Sequence, residues 1–191
     1  QINFGNDKID YNETIKLSSL LKHRGPDDEG LYNDNKVSLS FNRLSIIDLE
    51  KGNQPIFTYD VISIFNGEIY NFKEIKKELI SKGYKFKTNS DSEVIPVGYR
   101  AWGIKFLKKL RGMFAIFIYD LKIKRIFLAR DQVGIKPLYY FTVNKKIVFA
   151  SEIKALINHS EFKREINFDA VSSYLLHRYT INNESNFFKN I

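Results

Sequence analysis

Three adjacent residues, Asn66, Gly67 and Glu68, carry the kinds of group that stabilise charge as it develops in a reaction. An Asn side-chain amide beside the main-chain N–H of a glycine offers two fixed donors to an oxyanion, and the Glu68 carboxylate adds an acceptor at the same corner. Before them runs an apolar stretch, Val61 to Phe65, with the composition of a buried strand. After them the run from Phe72 to Lys82 predicts a helix. Phe72, Ile75 and Leu79 fall on one face, Asn71 is placed as N-cap with Glu74 as its capping-box partner, and Gly83 lies just past the end. The spacing therefore predicts a strand running straight into a polar turn. On spacing alone a plain loop is the simpler reading, because Asn-Gly is the commonest of tight-turn dipeptides.

Two further segments hold charges that suit a small zwitterion. Arg43-Leu44-Ser45-Ile46-Ile47-Asp48 is too short for a helix before Gly52 and reads as an extended edge leading into a loop. Its arginine, beside main-chain groups, can grip a carboxylate bidentately, although a surface Arg at a strand end is the ordinary case. Asn89-Ser90-Asp91-Ser92-Glu93 opens a helix over Val94 to Trp102, where Asp91 is open to a plain role as a cap-region acid. A cap at Ser92 leaves Pro96 in the first turn, whereas a cap at Ser90 places it deeper and implies a kink.

The remaining elements must position these groups. Glu13 to His23 predicts a short helix that stops at the turn Arg24-Gly25-Pro26-Asp27, and Gly30 to Tyr32 with Val37 to Phe41 predicts a strand pair. Ile104 to Leu110 reads as another short helix. Met113 to Tyr119 with Arg125 to Ala129, and Leu138 to Thr142 with Lys146 to Ala150, read as two hairpins. Helical spacing returns over Ser151 to Ile157 and over Phe168 to Leu176, the latter with Asn167 as cap, while Asn182 to Ile191 has no pattern that would close a core. Hairpins with helices at intervals, and no strand–helix alternation, predict an α+β domain with mainly antiparallel sheets.

Composition narrows the chemistry. The 191 residues are 43% hydrophobic and 15% aromatic, enough for the core of one domain. A formal charge of +8 is spread among apolar and acidic positions, as in Lys73-Glu74-Ile75-Lys76-Lys77-Glu78, so it predicts solvated helix faces and no nucleic-acid partner. There is no Cys, which excludes disulfides, thiolate metal sites and a Cys nucleophile within these residues, and three scattered histidines make a weak case for zinc. No apolar run reaches the length of a membrane span and no signal peptide is visible at Gln1, so the expectation is a cytoplasmic protein without a membrane partner.

In order along the chain, Arg24-Gly25-Pro26-Asp27, Arg43 to Asp48, Asn66-Gly67-Glu68-Ile69-Tyr70-Asn71, Ser90-Asp91-Ser92-Glu93-Val94, Arg111-Gly112-Met113-Phe114-Ala115 and Ala129-Arg130-Asp131 resemble one family. Gly134-Ile135-Lys136-Pro137-Leu138-Tyr139-Tyr140 and Phe149 to Leu156 continue the match. The family is the glutaminase domain of glutamine-hydrolysing asparagine synthetases, within the class II glutamine amidotransferases, and the resemblance covers about Ile2 to the end. It implies a four-layer α/β/β/α sandwich of the N-terminal-nucleophile hydrolase type. In that family an N-terminal Cys attacks the side-chain amide of glutamine, its own α-amino group acts as base, and ammonia passes to a synthetase domain. By carry-over the Asn66 side chain and Gly67 N–H form the oxyanion hole, Arg43 binds the glutamine α-carboxylate, and Glu68 and Asp91 lie near its α-amino group. Main-chain groups of Leu44, Ser45, Ile46 and Ile47 line the same pocket, and Arg24 braces it.

The family begins Cys-Gly-Ile-x-Gly, and the resemblance implies that residues 1–191 form one glutaminase domain truncated at both ends, without the nucleophile and inactive as written. No cofactor or metal is implied for this domain; ATP, Mg and aspartate belong to a missing C-terminal synthetase domain of the same parent chain. The implied partners are L-glutamine, that domain, and a second copy in a homodimer, which family members often form. Two other readings stay open: a pseudo-glutaminase that serves as a glutamine-binding or structural module, and a glutaminase whose ammonia goes to another acceptor such as a sugar carboxylate.

Overall fold

The computed structural model describes residues 1–5, 8–45, 47–48, 52–181 and 186–191. In chain order the elements are β1 (Ile2–Asn3), α1 (Tyr11–Ser19), β2 (Asp28–Asn33), β3 (Ser38–Arg43), β4 (Ile56–Thr58), β5 (Val61–Ile69) and α2 (Phe72–Ser81). They continue with α3 (Val94–Trp102), β6 (Gly112–Asp120), β7 (Arg125–Arg130), β8 (Tyr139–Val143), β9 (Lys146–Ala150), α4 (Ile153–Leu156) and α5 (Phe168–His177). Tight 3-10 turns cover Lys22–Arg24, Asp91–Glu93 and Gly103–Lys109. The α+β class and the antiparallel pairing expected from the sequence are both present. The chain divides into two compact units: Leu21–Tyr32 with Leu39–Pro137, and Gln1–Leu20 with Asn33–Ser38 and Leu138–Ile191.

The larger unit is built on a sheet in the order β4-β5-β6-β7, antiparallel throughout. Alternation puts Val61, Phe65 and Ile69 of β5 on the same face of the sheet as Phe114, Ile116 and Ile118 of β6. Ile75 and Leu79 of α2, Val94, Ile95 and Val97 of α3, and Phe106 close that face into one buried cluster. Each fully buried aliphatic or aromatic side chain contributes roughly 1.5–3 kcal/mol, so the cluster anchors β5 firmly. Asn66 and Glu68 fall on the opposite face.

The expected turn at Asn66–Gly67 is corrected here: β5 runs for nine residues through Asn66, Gly67 and Glu68, which pair with Ala115, Phe114 and Met113 of β6. Turn propensity is overridden because β6 supplies a full-length partner, and Gly67 is what the close approach requires. Its φ is +149°, and a Cβ there would stand 2.0 Å from Met113 O. The capping box at Asn71 does not form either. The Asn71 amide instead donates to Lys109 O and accepts from Arg111 N–H, both at 2.9 Å, which fixes the entry to β6.

Ser90 caps the 3-10 turn by accepting from Ser92 N–H, and α3 begins only at Val94. Pro96 thus sits in the first turn of α3 even though the cap is at Ser90, because a 3-10 turn intervenes. The first helix is displaced from the expected Glu13–His23 to Tyr11–Ser19, since the Asp10 carboxylate caps Asn12 and Glu13 N–H and the chain tightens into the 3-10 turn at Lys22. A 3-10 segment, Gly103–Lys109, stands where a helix over Ile104 to Leu110 was expected.

The smaller unit carries the antiparallel sheet β1-β9-β8. The turn Val143 to Lys146 has positive φ at both Asn144 and Lys145, the geometry that suits a two-residue hairpin. Phe141, Val148 and Leu156 form its buried centre. Contrary to the sequence expectation, the end of the chain joins this core: Ile191 packs on the cluster, Phe188 stacks edge-on to Phe162, and Asn167 N–H donates to Phe187 O at 3.0 Å. No helix among the described residues is long and apolar enough to cross a membrane.

Candidate active site

Hydrogen-bond direction along β5 defines the site. In an antiparallel ladder the N–H and C=O of a residue point to the same side and alternate between neighbours. Phe114 spends its main-chain groups on the β7 side, accepting from Asp131 N–H at 2.8 Å and donating to the Asp131 carboxylate at 3.2 Å. Gly67, its partner on β5, is therefore a non-hydrogen-bonded pair with it, and Gly67 N–H points to the other edge of β5. Along that same edge the Gln54 side chain takes both main-chain groups of Phe65, accepting from its N–H at 2.6 Å and donating to its O at 2.9 Å. Beyond Gly67 on that edge, the Asp91 carboxylate accepts from Ile69 N–H at 3.0 Å. By this alternation Gly67 N–H faces the same edge, between the positions that Gln54 and Asp91 occupy.

Beside it, Asn66 Nδ2 is buried and has no hydrogen-bond partner. A buried amide nitrogen left in this state carries a desolvation cost of about 1–3 kcal/mol, and native proteins keep few of them. An unpaired donor next to an outward-facing glycine N–H is the arrangement that an incoming oxyanion completes.

Asp91 is buried on the same edge. Burial pushes its carboxyl above the usual carboxylate range, the Glu68 charge pushes the same way, and hydrogen bonds from Ile69 N–H, its own N–H and Ser90 only partly oppose them. Two acids sharing one corner favour a cation there. Arg43 ends β3 and is also buried. Its guanidinium donates to Asn53 Oδ1 at 2.6 Å, to Asp48 O at 2.7 Å and to Ile47 O at 3.3 Å. Asn53 precedes Gln54, so the arginine is joined through two residues to the Phe65–Asn66 stretch of β5.

The structure brings Arg43, Asn66, Gly67, Glu68 and Asp91 into one unit. Ser45 and Ile47 follow Arg43 in the loop, but the main-chain groups described for them already have partners: Ser45 N–H donates to the Asp27 carboxylate at 2.7 Å, and Ile47 O accepts from Arg43. Leu44 is exposed, and Ile46 lies outside the described residues. Arg24 is exposed at the end of its 3-10 turn. In the same turn a Cβ at Gly25 would stand 2.2 Å from Asn42 O, and Asp27 N–H donates to Arg43 O at 3.0 Å. Asp27, Asp48 and Gln54, whose side chains bond Ser45, Asn89 and Phe65, were not singled out by the sequence reading. Asp27 and Asp48 close the very motifs that begin with Arg24 and Arg43, which was the available signal. Among the described residues no group of His, Cys, Asp and Glu is arranged to hold a metal ion.

Comparison with known proteins places the chain in a family. The family model for a glutamine amidotransferase domain matches residues 2–191. Asparagine synthetase [glutamine-hydrolyzing] 1 of Bacillus subtilis is 45% identical over 169 residues, covering 87% of this chain and 27% of the relative. The second such enzyme of the same organism is 42% identical over 181 residues, covering 92% of this chain and 24% of the relative. The chain thus spans about a quarter of the length of these curated relatives. Among solved structures, the glutamine phosphoribosylpyrophosphate amidotransferase of B. subtilis superposes with a TM-score of 0.66 at 20% identity, over 85% of this chain and 44% of that one. A regulatory enzyme of purine biosynthesis superposes at 0.62 with 21% identity, over 76% of this chain and 40% of that one. These neighbours carry the N-terminal-nucleophile-hydrolase-like fold.

Proposed function

The chain belongs to the glutamine amidotransferase domain family, and from that premise we propose that its edge of β5 binds L-glutamine and stabilises the oxyanion formed when the side-chain amide is attacked. In this reading Asn66 Nδ2 and Gly67 N–H donate to the amide oxygen as it gains charge. Arg43 faces the α-carboxylate, while Asp91 and Glu68 face the α-ammonium. The observation that carries the proposal is the buried, unpaired Nδ2 of Asn66 beside Gly67. The charges supply the two ends a free amino acid needs, a guanidinium and a pair of carboxylates from separated segments. The 191 residues contain no Cys, so what they contribute is binding and charge stabilisation, and the attacking thiol is not among them.

The ammonia acceptor proposed is aspartate, amidated to asparagine at the expense of ATP in the remainder of a longer protein. Its support is the identity to the two B. subtilis asparagine synthetases. ATP and magnesium belong, in this reading, to that remainder.

Calorimetric titration of the chain with glutamine tests the binding half. Wild type is expected to bind, and Arg43→Ala to weaken affinity on the order of tenfold or more, the loss of one charge-assisted contact. Unchanged affinity in Arg43→Ala would refute the carboxylate role. Asparagine formation from glutamine, aspartate and ATP by the full-length protein tests the acceptor, and glutamate release without asparagine would point to another one.

A further inference from the structure

Asp48 stands where the two charged ends of the site meet. Its φ is +51°, a left-handed conformation that Asp tolerates better than most residues. This turn brings its main-chain O back to accept from Arg43 Nη2 at 2.7 Å and from Gly52 N–H at 2.9 Å. The approach is close: a Cβ at Gly52 would stand 2.5 Å from Arg43 Nη2. The Asp48 carboxylate reaches the other way and accepts from Asn89 N–H at 2.7 Å. Asn89 is itself held by Lys76, whose ammonium donates to Asn89 Oδ1 at 3.1 Å and to Thr88 O at 2.6 Å. Two residues on lies Asp91, on the 3-10 turn that Ser90 caps and against Ile69 of β5. One residue therefore holds the Arg43 guanidinium with its backbone and, with its side chain, the main chain of Asn89 two residues before Asp91.

We propose that Asp48 is a positioning residue that fixes the separation between Arg43 and Asp91, so that the α-carboxylate and α-ammonium of one amino acid are engaged together. The inference rests on the glutamine reading above. An α-amino acid carries both charges on one carbon, so a pocket that binds each end in isolation gains little unless the two ends are held at a fixed distance. Asp27, which takes Ser45 N–H, holds the start of the same loop, but it touches only the Arg43 side.

The test compares L-glutamine with two one-ended analogues: 4-carbamoylbutanoate, which lacks the amino group, and 4-aminobutanamide, which lacks the carboxylate. Affinities are read by ligand-detected NMR, which reaches the millimolar range, for wild type, Asp48→Ala and Asp48→Asn. The expected result is a loss on the order of tenfold for glutamine in Asp48→Ala, with much smaller losses for either analogue, because only the two-ended ligand uses the fixed separation. Asp48→Asn is expected to retain most of the affinity, since its side-chain oxygen still accepts from Asn89 N–H and Asn also tolerates the left-handed turn. Equal losses on all three ligands, no loss on glutamine, or an Asp48→Asn variant as weak as Asp48→Ala would overturn the proposal. Arg43→Ala and Asp91→Asn run in parallel separate the two claims. If neither weakens glutamine binding, the glutamine reading fails; if both do while Asp48→Ala does not, only the role of Asp48 fails.

Discussion

Asp91 and Asp131 are both buried carboxylates beside the central β5–β6 pair, and their surroundings treat them oppositely. Around Asp131, burial alone would raise the carboxyl, but main-chain N–H groups of Lys136, Ile135, Phe114 and Gly134 converge on it and hold it below the usual carboxylate range. Its oxygens accept from Ile135 at 2.8 Å, Lys136 at 3.0 Å and Phe114 at 3.2 Å. Asp131 thereby folds the Gly134–Lys136 turn back onto β6. Around Asp91, burial wins, helped by Glu68. Glu93, two residues away, resembles Asp131: it is buried, and it accepts from Lys87 N–H, Thr88 N–H and the Thr88 hydroxyl. Asp131 and Glu93 tie turns to the fold. Asp91, pushed up by burial and by the Glu68 charge, lies on the edge that also carries the unpaired Asn66 amide, and there a ligand cation has something to add.

Substitutions at the two kinds of position should break in different currencies. Asn66→Ala in the full-length protein is expected to lower glutamine turnover about 10²- to 10³-fold by removing one oxyanion donor. Thermal stability should stay the same or rise, because the deleted donor is unpaired in the folded protein. Near-wild-type turnover, or a large fall in melting temperature, would remove Asn66 from the proposed oxyanion site. Asp131→Ala is the converse. It strands several main-chain donors and is expected to cost on the order of 3 kcal/mol of stability, read by urea unfolding. An Asp131→Ala protein as stable as wild type would erase the contrast.

The same contrast marks what could be read from the sequence. Val61 to Phe65, Met113 to Tyr119 and the face Ile75–Leu79 were legible because burial imposes a period on apolar residues, and that period survives in the sequence. Asn66-Gly67-Glu68 were legible as chemistry but not as a strand. Their turn propensity is local, whereas the pairing that overrides it comes from Phe114, far along the chain. The contacts of Asp48, Asp27 and Gln54 were illegible for a related reason, even where Asp27 and Asp48 close a motif: each bonds a side chain to a distant main-chain group, and a main-chain group has no letter in the sequence. The closing segment was misjudged because Phe188 and Ile191 bury against Phe162 and the Phe141 cluster one at a time, without periodicity.

The smallest expected effect is also the one that separates the two aspartates most cleanly, because it depends on pH in opposite senses. Asp131 has a folded-state value below its unfolded one, so its contribution to stability is present above the unfolded value of about 3.9 and is lost as pH falls through the folded value. Asp91 has a folded-state value above its unfolded one. The folded protein binds that proton more tightly, so the cost of keeping Asp91 charged is fully present above the raised value, shrinks as pH falls through it, and is gone below the unfolded value of about 3.9. Asp91→Asn keeps an acceptor for Ile69 N–H while removing the charge. It should therefore be modestly more stable than wild type at pH 7, with the advantage shrinking on acidification, and the deficit of Asp131→Ala should shrink only once the pH drops below about 4. Glutamine would act on Asp91 in the reverse direction, since an α-ammonium beside the carboxyl favours its charged form. Wild-type affinity is then expected to fall as pH is lowered through the raised value, and Asp91→Asn to bind more weakly with a flatter profile. Parallel pH profiles for wild type and Asp91→Asn would mean that no ligand charge meets Asp91, and the amino end of the proposed site would have to be sought elsewhere on the β5 edge.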